Sequence, residues 1–460
     1  MIYIVVLAIV VAVLLGVTVY KTRSIRSKAD FMVAGRTLPW YVLVFTLLSS
    51  WIGAGSLFGG AENAYRNGFA SLWQAAGGWL GLIVIAFIAG RARRFAQFTV
   101  PDLLETRYNA TARVLGSIAI VVSCIVITSY QFIGGGDILH LIFPELPKTT
   151  GMYIIAAFVI LFTAAAGMAS VAYLDLVIGG MVTITVIVSV PLLLQHVGGW
   201  SHVRANLPDD HFQVLGHLTI WQALGFTIPT MLLLIGNQGM YQKFFAARSE
   251  RDARLAVFGW IAGALLLETL LVTVAVIGSS VFKTDTPREI LPTTAKLGLP
   301  PLVGAILLGG MFAKVISTAN NFLFSPSTNI VHDVYARFID RNASEKRTLV
   351  VSRVTVVVLG LLALVQGAYF KSILAAALYA YTIYGAAVTP SVLAVFFWRR
   401  ANAQGAVASI FLGTIVTVAW QWTGSEIDAI YPALAASVAG LVLISLATPP
   451  PAPEKLTPFL

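Results

Sequence analysis

The chain has 460 residues, of which 58% are hydrophobic and only 11% charged, a balance outside that of soluble domains. A single cysteine, Cys124, excludes a disulfide framework or a cysteine zinc site, and a net charge of +10 has to be explained by its placement along the chain. Apolar stretches of about 20 residues, the length a helix needs to cross a bilayer, recur throughout and exclude a soluble domain and a β-barrel alike.

In chain order the spans are expected at 2–20, 38–62, 69–90, 114–138, 152–169, 172–194, 219–240, 254–282, 301–333, 348–368, 373–397, 404–422 and 430–447. This makes an all-α polytopic membrane protein of about 13 transmembrane helices. The first span lacks a basic leader and a small-residue cleavage site, and its positive charges follow it in YKTRSIRSK, so it reads as a retained span and not a signal peptide. Cys124 lies inside the fourth span, as a small apolar residue.

The second span, FTLLSSWIGAGSLFGGAENAY, contains Gly53, Gly55, Gly59 and Gly60, and the seventh, LGFTIPTMLLLIGNQG, contains Gly225, Pro229, Gly236 and Gly239. Glycine that merely eases helix packing explains one such segment. Two, at corresponding places in groups of five spans with opposite orientation, point to an inverted-repeat transporter whose broken helices expose backbone groups to ions and solutes. The expected organisation is an extra helix at 1–20, repeats at 38–194 and 219–397, and two extra helices at 404–447.

Few ionisable groups fall within the spans. Asp175 stands in YLDLV of the sixth, Glu268 in the eighth, and Lys314 in FAKVISTANNFLF of the ninth, one helical turn before Ser317 and Thr318. Intramembrane charges are expensive and are functional candidates by default. Elsewhere, loops 21–37, 91–113, 241–254, 334–347 and 398–403 and the tail after 447 carry 21 of the 30 Lys and Arg, and the opposite loops carry seven. That asymmetry orients the N-terminus outside and the C-terminus in the cytoplasm, and assigns the positive charge to topology rather than to nucleic acid.

The segments DFMVAGRTLPWYV, SSWIGAGSLFGGAENAYRNG, GMASVAYLDLV, QGMYQKFFAARSERDAR and VISTANNFLFSPSTNIVHDVY occur in the order of the signature blocks of the sodium:solute symporter family, which the chain resembles from about residue 30 to 335. The resemblance implies a LeuT-type fold of two inverted five-helix repeats, each opening on a discontinuous helix. It also implies Na+ as coupling ion, held by backbone carbonyls matching Ser49 and Ile52 and hydroxyls matching Ser317 and Thr318, a set of oxygens suited to a hard cation. SSWIGAG and SLWQAAGG are similar to the choline-transporter branch, which implies Trp51 and Trp73 near the substrate, although Asn237 stands where that branch has tryptophan. Family substrate contacts map onto Ser56, Gln74, Thr230, Leu233 and Thr382, with Tyr130, Tyr381 and Tyr384 beside them. The family often has an acidic residue at the position of Asn320 and a small one at the position of Lys314, and Asp175 matches a family aspartate near the ion exit path.

The function expected is therefore cation-coupled, Na+-dependent symport of a small organic solute by alternating access in a bacterial inner membrane, with no enzyme activity and no cofactor. The alternative is a Na+-independent, proton-linked or uncoupled carrier in which Lys314, paired with Asp175, replaces the cation. A channel has no use for inverted repeats around a central site. A sensor calls for a soluble domain, and the longest hydrophilic loops have only about 20 residues.

Overall fold

The computed structural model describes residues 1–22, 33–95, 99–165, 168–370 and 372–459, which are helical apart from turns and one isolated bridge between Leu38 and Ala247. Arg23, Arg26, Lys28 and Lys371 of the charge count, the start of DFMVAGRTLPWYV and Gly167 of GMASVAYLDLV lie outside these residues.

Among the described residues ten helices are long and apolar enough to cross a membrane. They become eleven when Ile373–Ala387 and Thr389–Phe397, bent by 40°, count as one, and Ile2–Val17 and Trp40–Trp51 are shorter apolar helices. Their outer faces carry Phe87, Leu161 and Ile184 largely exposed, the pattern of a surface solvated by lipid. With this number of apolar spans the chain is an integral membrane protein.

Helix starts follow local chemistry. Thr99 and Thr219 open helices with capping boxes, closed by Asp102 and Gln222, and Asn109, Ser249, Ser344, Ser372 and Asn402 each accept a backbone N–H at an N-cap.

The two segments expected to break do so. Trp40–Trp51 stops at Ile52, whose ψ of 93° leaves the helical region, and the chain resumes through Gly55–Gly60 into Ala61–Asn67. Ile220–Gly236 stops at Asn237, ψ 111°, and Gln238–Ala246 follows. The first broken helix packs on Met168–Val197, Glu250–Val281 and Pro301–Thr328, and the second on Leu72–Phe95 and Ile373–Ala387. The helix carrying Lys314 is central: 83% of its apolar window is buried, against 39% for Glu345–Gly367. A lipid-facing role for Lys314 is thereby excluded, since its side chain is 0% exposed.

Candidate functional site: two polar regions on one broken helix

Each break leaves backbone groups without helical partners, and a side chain from a neighbouring helix meets one of them. At the first break the Ala54 amide donates to Gln131 Oε1 at 2.8 Å, and at the second the Gln238 amide donates to Tyr384 Oη at 2.8 Å. Gly53 is required here by space, because a Cβ on it would lie 2.6 Å from Thr318 Cγ2 and Oγ1.

Around Ser49 and Ser50 lies the first polar region. The Thr318 hydroxyl donates to the Ser49 carbonyl at 2.8 Å, and Lys314 Nζ donates to Ser49 Oγ at 3.0 Å. Asp175 accepts from the Ser317 hydroxyl through one oxygen and from Thr46 Oγ1, at 2.6 Å, through the other. Ser49, Ser317 and Thr318 thus come together across two helices. The Lys314–Asp175 ion pair expected from the sequence is not formed: Ser317, one turn beyond Lys314, reaches the carboxylate, and the lysine turns to Ser49.

A second ammonium enters the same region. Lys243 Nζ donates to Ser50 Oγ at 2.5 Å, to Asn321 Oδ1 at 3.0 Å and to the Gly239 carbonyl at 3.5 Å. From the sequence, Lys243 is expected in the basic loop at 241–254. It is fully buried because the chain after the second break continues as helix through Ala246, so the loop at 241–254 starts later than expected. Gly236 and Gly239 are the signal that points to it, since whatever follows a break is the other half of the broken span. Asn320 is buried with both side-chain polar atoms unpartnered among the described residues, and Asn237, also buried, lines a small cavity with Ser50 and Asn321 and leaves its Nδ2 unpartnered.

Just beyond Ser50 along the first broken helix is the second region, a narrow cavity of about 40 Å³ lined among others by Trp51, Ser56, Gln74, Thr230, Glu268 and Tyr381. Trp51 Nε1 and Trp79 Nε1 each donate at 2.8 Å to a different oxygen of Glu268. Tyr130 lies behind the wall, its hydroxyl 3.5 Å from that of Tyr381. Besides Tyr130 and Asn237, three expected substrate residues are elsewhere. Trp73, one residue or about 100° of helix from Gln74, faces an outer pocket and donates to the Val214 carbonyl at 2.9 Å. Thr382, next to Tyr381, lines a separate pocket with Asp428, and Leu233 belongs to the apolar core.

Away from both regions, the cluster Asp102, His332 and Asp333 has metal-ligand spacing, with donor atoms within 4.8 Å of one another. The Arg113 guanidinium donates to both aspartates at 2.5 Å and makes this an ion-pair cluster.

Comparison with known proteins agrees with this geometry. Over 453 residues the chain is 25% identical to the osmoregulated proline transporter OpuE of Bacillus subtilis, covering 92% of this chain and 90% of that protein. It is also 25% identical to a sodium/proline symporter of Salmonella typhimurium, covering 92% and 89%. A Na+-coupled sialic acid symporter in a substrate-bound outward-open state superposes with a TM-score of 0.84 at 16% identity, over 98% of both chains. These relatives do not bear out the particular likeness to the choline branch. Within SLWQAAGG, Gly78 makes room for the Trp51 ring, from which a Cβ would lie 2.8 Å away. Residues 31–413 match the sodium:solute symporter family, and the chain belongs to that family of transporters.

Proposed function

We propose that this chain is a secondary carrier that moves a small organic solute by alternating access, and that Lys314 supplies from within the protein the positive charge that a coupling cation would bring. The observation that carries this reading is the Lys314 ammonium on Ser49 Oγ, beside the carbonyl and hydroxyls expected to ligate sodium. A sodium ion about 4 Å from an ammonium is repelled by about 4 kcal/mol at an effective dielectric constant of about 20, and Lys243 adds to this. Two buried ammoniums against the single Asp175 carboxylate leave little call for another cation. The site residues in this reading are Lys314, Lys243, Asp175, Ser317 and Thr318 for the internal cation, and Trp51, Ser56, Gln74, Thr230 and Tyr381 for the solute. Family membership and the Na+-coupled structural neighbour favour a second reading, Na+ symport through Ser49, Ile52, Ser317 and Thr318.

The accompanying architecture is thirteen spans, with inverted repeats at 38–194 and 219–397 between extra helices at 1–20 and 404–447, the N-terminus outside and the C-terminus cytoplasmic. Glu345→Cys should be labelled only from the cytoplasmic side and Asn206→Cys only from outside; reversed labelling rejects the orientation. Counterflow in proteoliposomes tests the function, using solutes identified by thermal-shift screening. The first reading expects labelled-for-unlabelled exchange at equal rates in Na+ and K+ buffers. Exchange that collapses without Na+ supports the second reading, and passive leak without counterflow rejects both.

A further inference from the structure

Glu268 is a carboxylate without a cation. It is buried at 6% exposure in the wall of the solute cavity, and among the described residues no Lys, Arg or His stands within ion-pairing distance of it. Its only hydrogen-bond partners there are the indoles of Trp51 and Trp79, one on each oxygen. An ionised carboxylate offers about four acceptor positions, so roughly two remain open. Neither Lys243 nor Lys314 lines this cavity, and no other basic residue does.

We propose that the solute is a small organic cation, a protonated amine lacking a carboxylate, and that Glu268 receives its ammonium. Two indole N–H donors fix the carboxylate's orientation before the solute arrives, which leaves little to reorganise on binding. An entering ammonium gains charge-assisted hydrogen bonds to the free acceptor positions, and the rings of Trp51 and Tyr381 in the same wall add cation–π attraction. Ser56, Gln74 and Thr230 supply neutral polar contacts and Leu271 and Val272 an apolar wall, a lining for one charged head on a small body. An amino-acid zwitterion would bring its own carboxylate beside Glu268, where no basic residue lines the cavity to receive it and two carboxylates repel. That repulsion separates this chain's solute from the proline carried by the relatives. The assignment rests on the carrier reading, which it deepens by naming the class of solute.

The test compares amines with the amino acids that differ from them by a carboxylate: prolinamide with proline, isoamylamine with leucine, ethanolamine with serine, and isoamyl alcohol as a neutral control. Thermal shift and tryptophan fluorescence of the purified protein read binding; counterflow reads transport. The expected result is that at least one amine binds about 30-fold or more tightly than its amino acid, and that Glu268→Gln removes this preference. The wild-type comparison of isoamylamine with isoamyl alcohol holds even where that variant fails to fold. Amino acids favoured across the panel, an amine preference retained in Glu268→Gln, or no binding by any amine overturns the assignment. Counterflow of an amino acid would leave the carrier reading standing without it, whereas Glu268-dependent amine binding without counterflow would leave the site standing and remove the carrier.

Discussion

The two polar regions of the first broken helix adjoin at Ser50 and Trp51, and their ionisable groups differ in kind. At Ser49 and Ser50, two ammoniums and one carboxylate are tied through hydroxyls and an amide into one network. Beyond Trp51 stands a carboxylate with two neutral donors. Where the resemblance places a metal cation, this chain has two lysine side chains, and beside the cavity it has a carboxylate held by two indoles. The difference teaches that a shared fold does not fix the charges of its site: in the proposed reading, one lysine on a central helix takes the place of the coupling cation.

The contrast can be broken most severely at Asp175. Asp175→Asn leaves Lys243 and Lys314 buried without the carboxylate of their network, at a cost of about 3–5 kcal/mol, read as a lost thermal transition or folded yield in detergent. Adding Lys314→Met to Asp175→Asn should recover much of it. A single variant as stable as the wild type would mean that the region is not held as charged groups.

Next in size is the joint between the regions. Gly53→Ala pushes a methyl into Thr318 and should lower stability by about 1–3 kcal/mol, with counterflow falling alongside the thermal midpoint. An unchanged midpoint would show the break to be softer than its contacts imply. In the cavity, Gln74→Ala and Thr230→Ala should each weaken solute binding about tenfold, one lost hydrogen bond with an unpaired group remaining. Trp73→Ala and Thr382→Ala should stay within about twofold, because both face other pockets. Equal losses in all four would erase the boundary drawn around the cavity.

The smallest effect lies outside both regions and serves as a control. Burial works against the charge of Glu105, but hydrogen bonds from Arg113 and Arg337 outweigh it and hold the carboxyl below its ordinary value of 4.5. Its contribution is present above that value and fades as the pH falls through the lower, folded one. Glu105→Gln should therefore reduce stability slightly at pH 7 and flatten its decline below about pH 4.5, while Na+ response and amine preference stay as in the wild type. A decline unchanged by the substitution would remove Glu105 from the Arg113 network.

Much of this was legible in the sequence. Gly53 and Gly236 announce breaks because glycine weakens a helix locally, and Lys314 announces a site because a charge in a central span has to be satisfied. What stayed hidden depended on the third dimension. Lys243 looks like one more basic loop residue until the second half of the broken span folds over it, and Gln131 is one polar residue in an apolar helix until the Ala54 amide needs an acceptor. Glu268 gave no clue to its partners, since Trp51 and Trp79 lie 217 and 189 positions away. Trp73 and Thr382 fell on the wrong side for the opposite reason: adjacency in a motif was read as adjacency in space, and one helical residue turns a side chain by about 100°.

The internal-cation claim meets its most direct test without any solute. The thermal midpoint of the purified protein is followed as KCl is replaced by NaCl at constant ionic strength, for the wild type and for Lys314→Ala. The account predicts a flat wild-type response and a saturable stabilisation by Na+ in Lys314→Ala, where removal of the ammonium frees Ser49, Ser317 and Thr318 to ligate the ion. Saturable stabilisation of the wild type by Na+, unchanged or lost in Lys314→Ala, would contradict it.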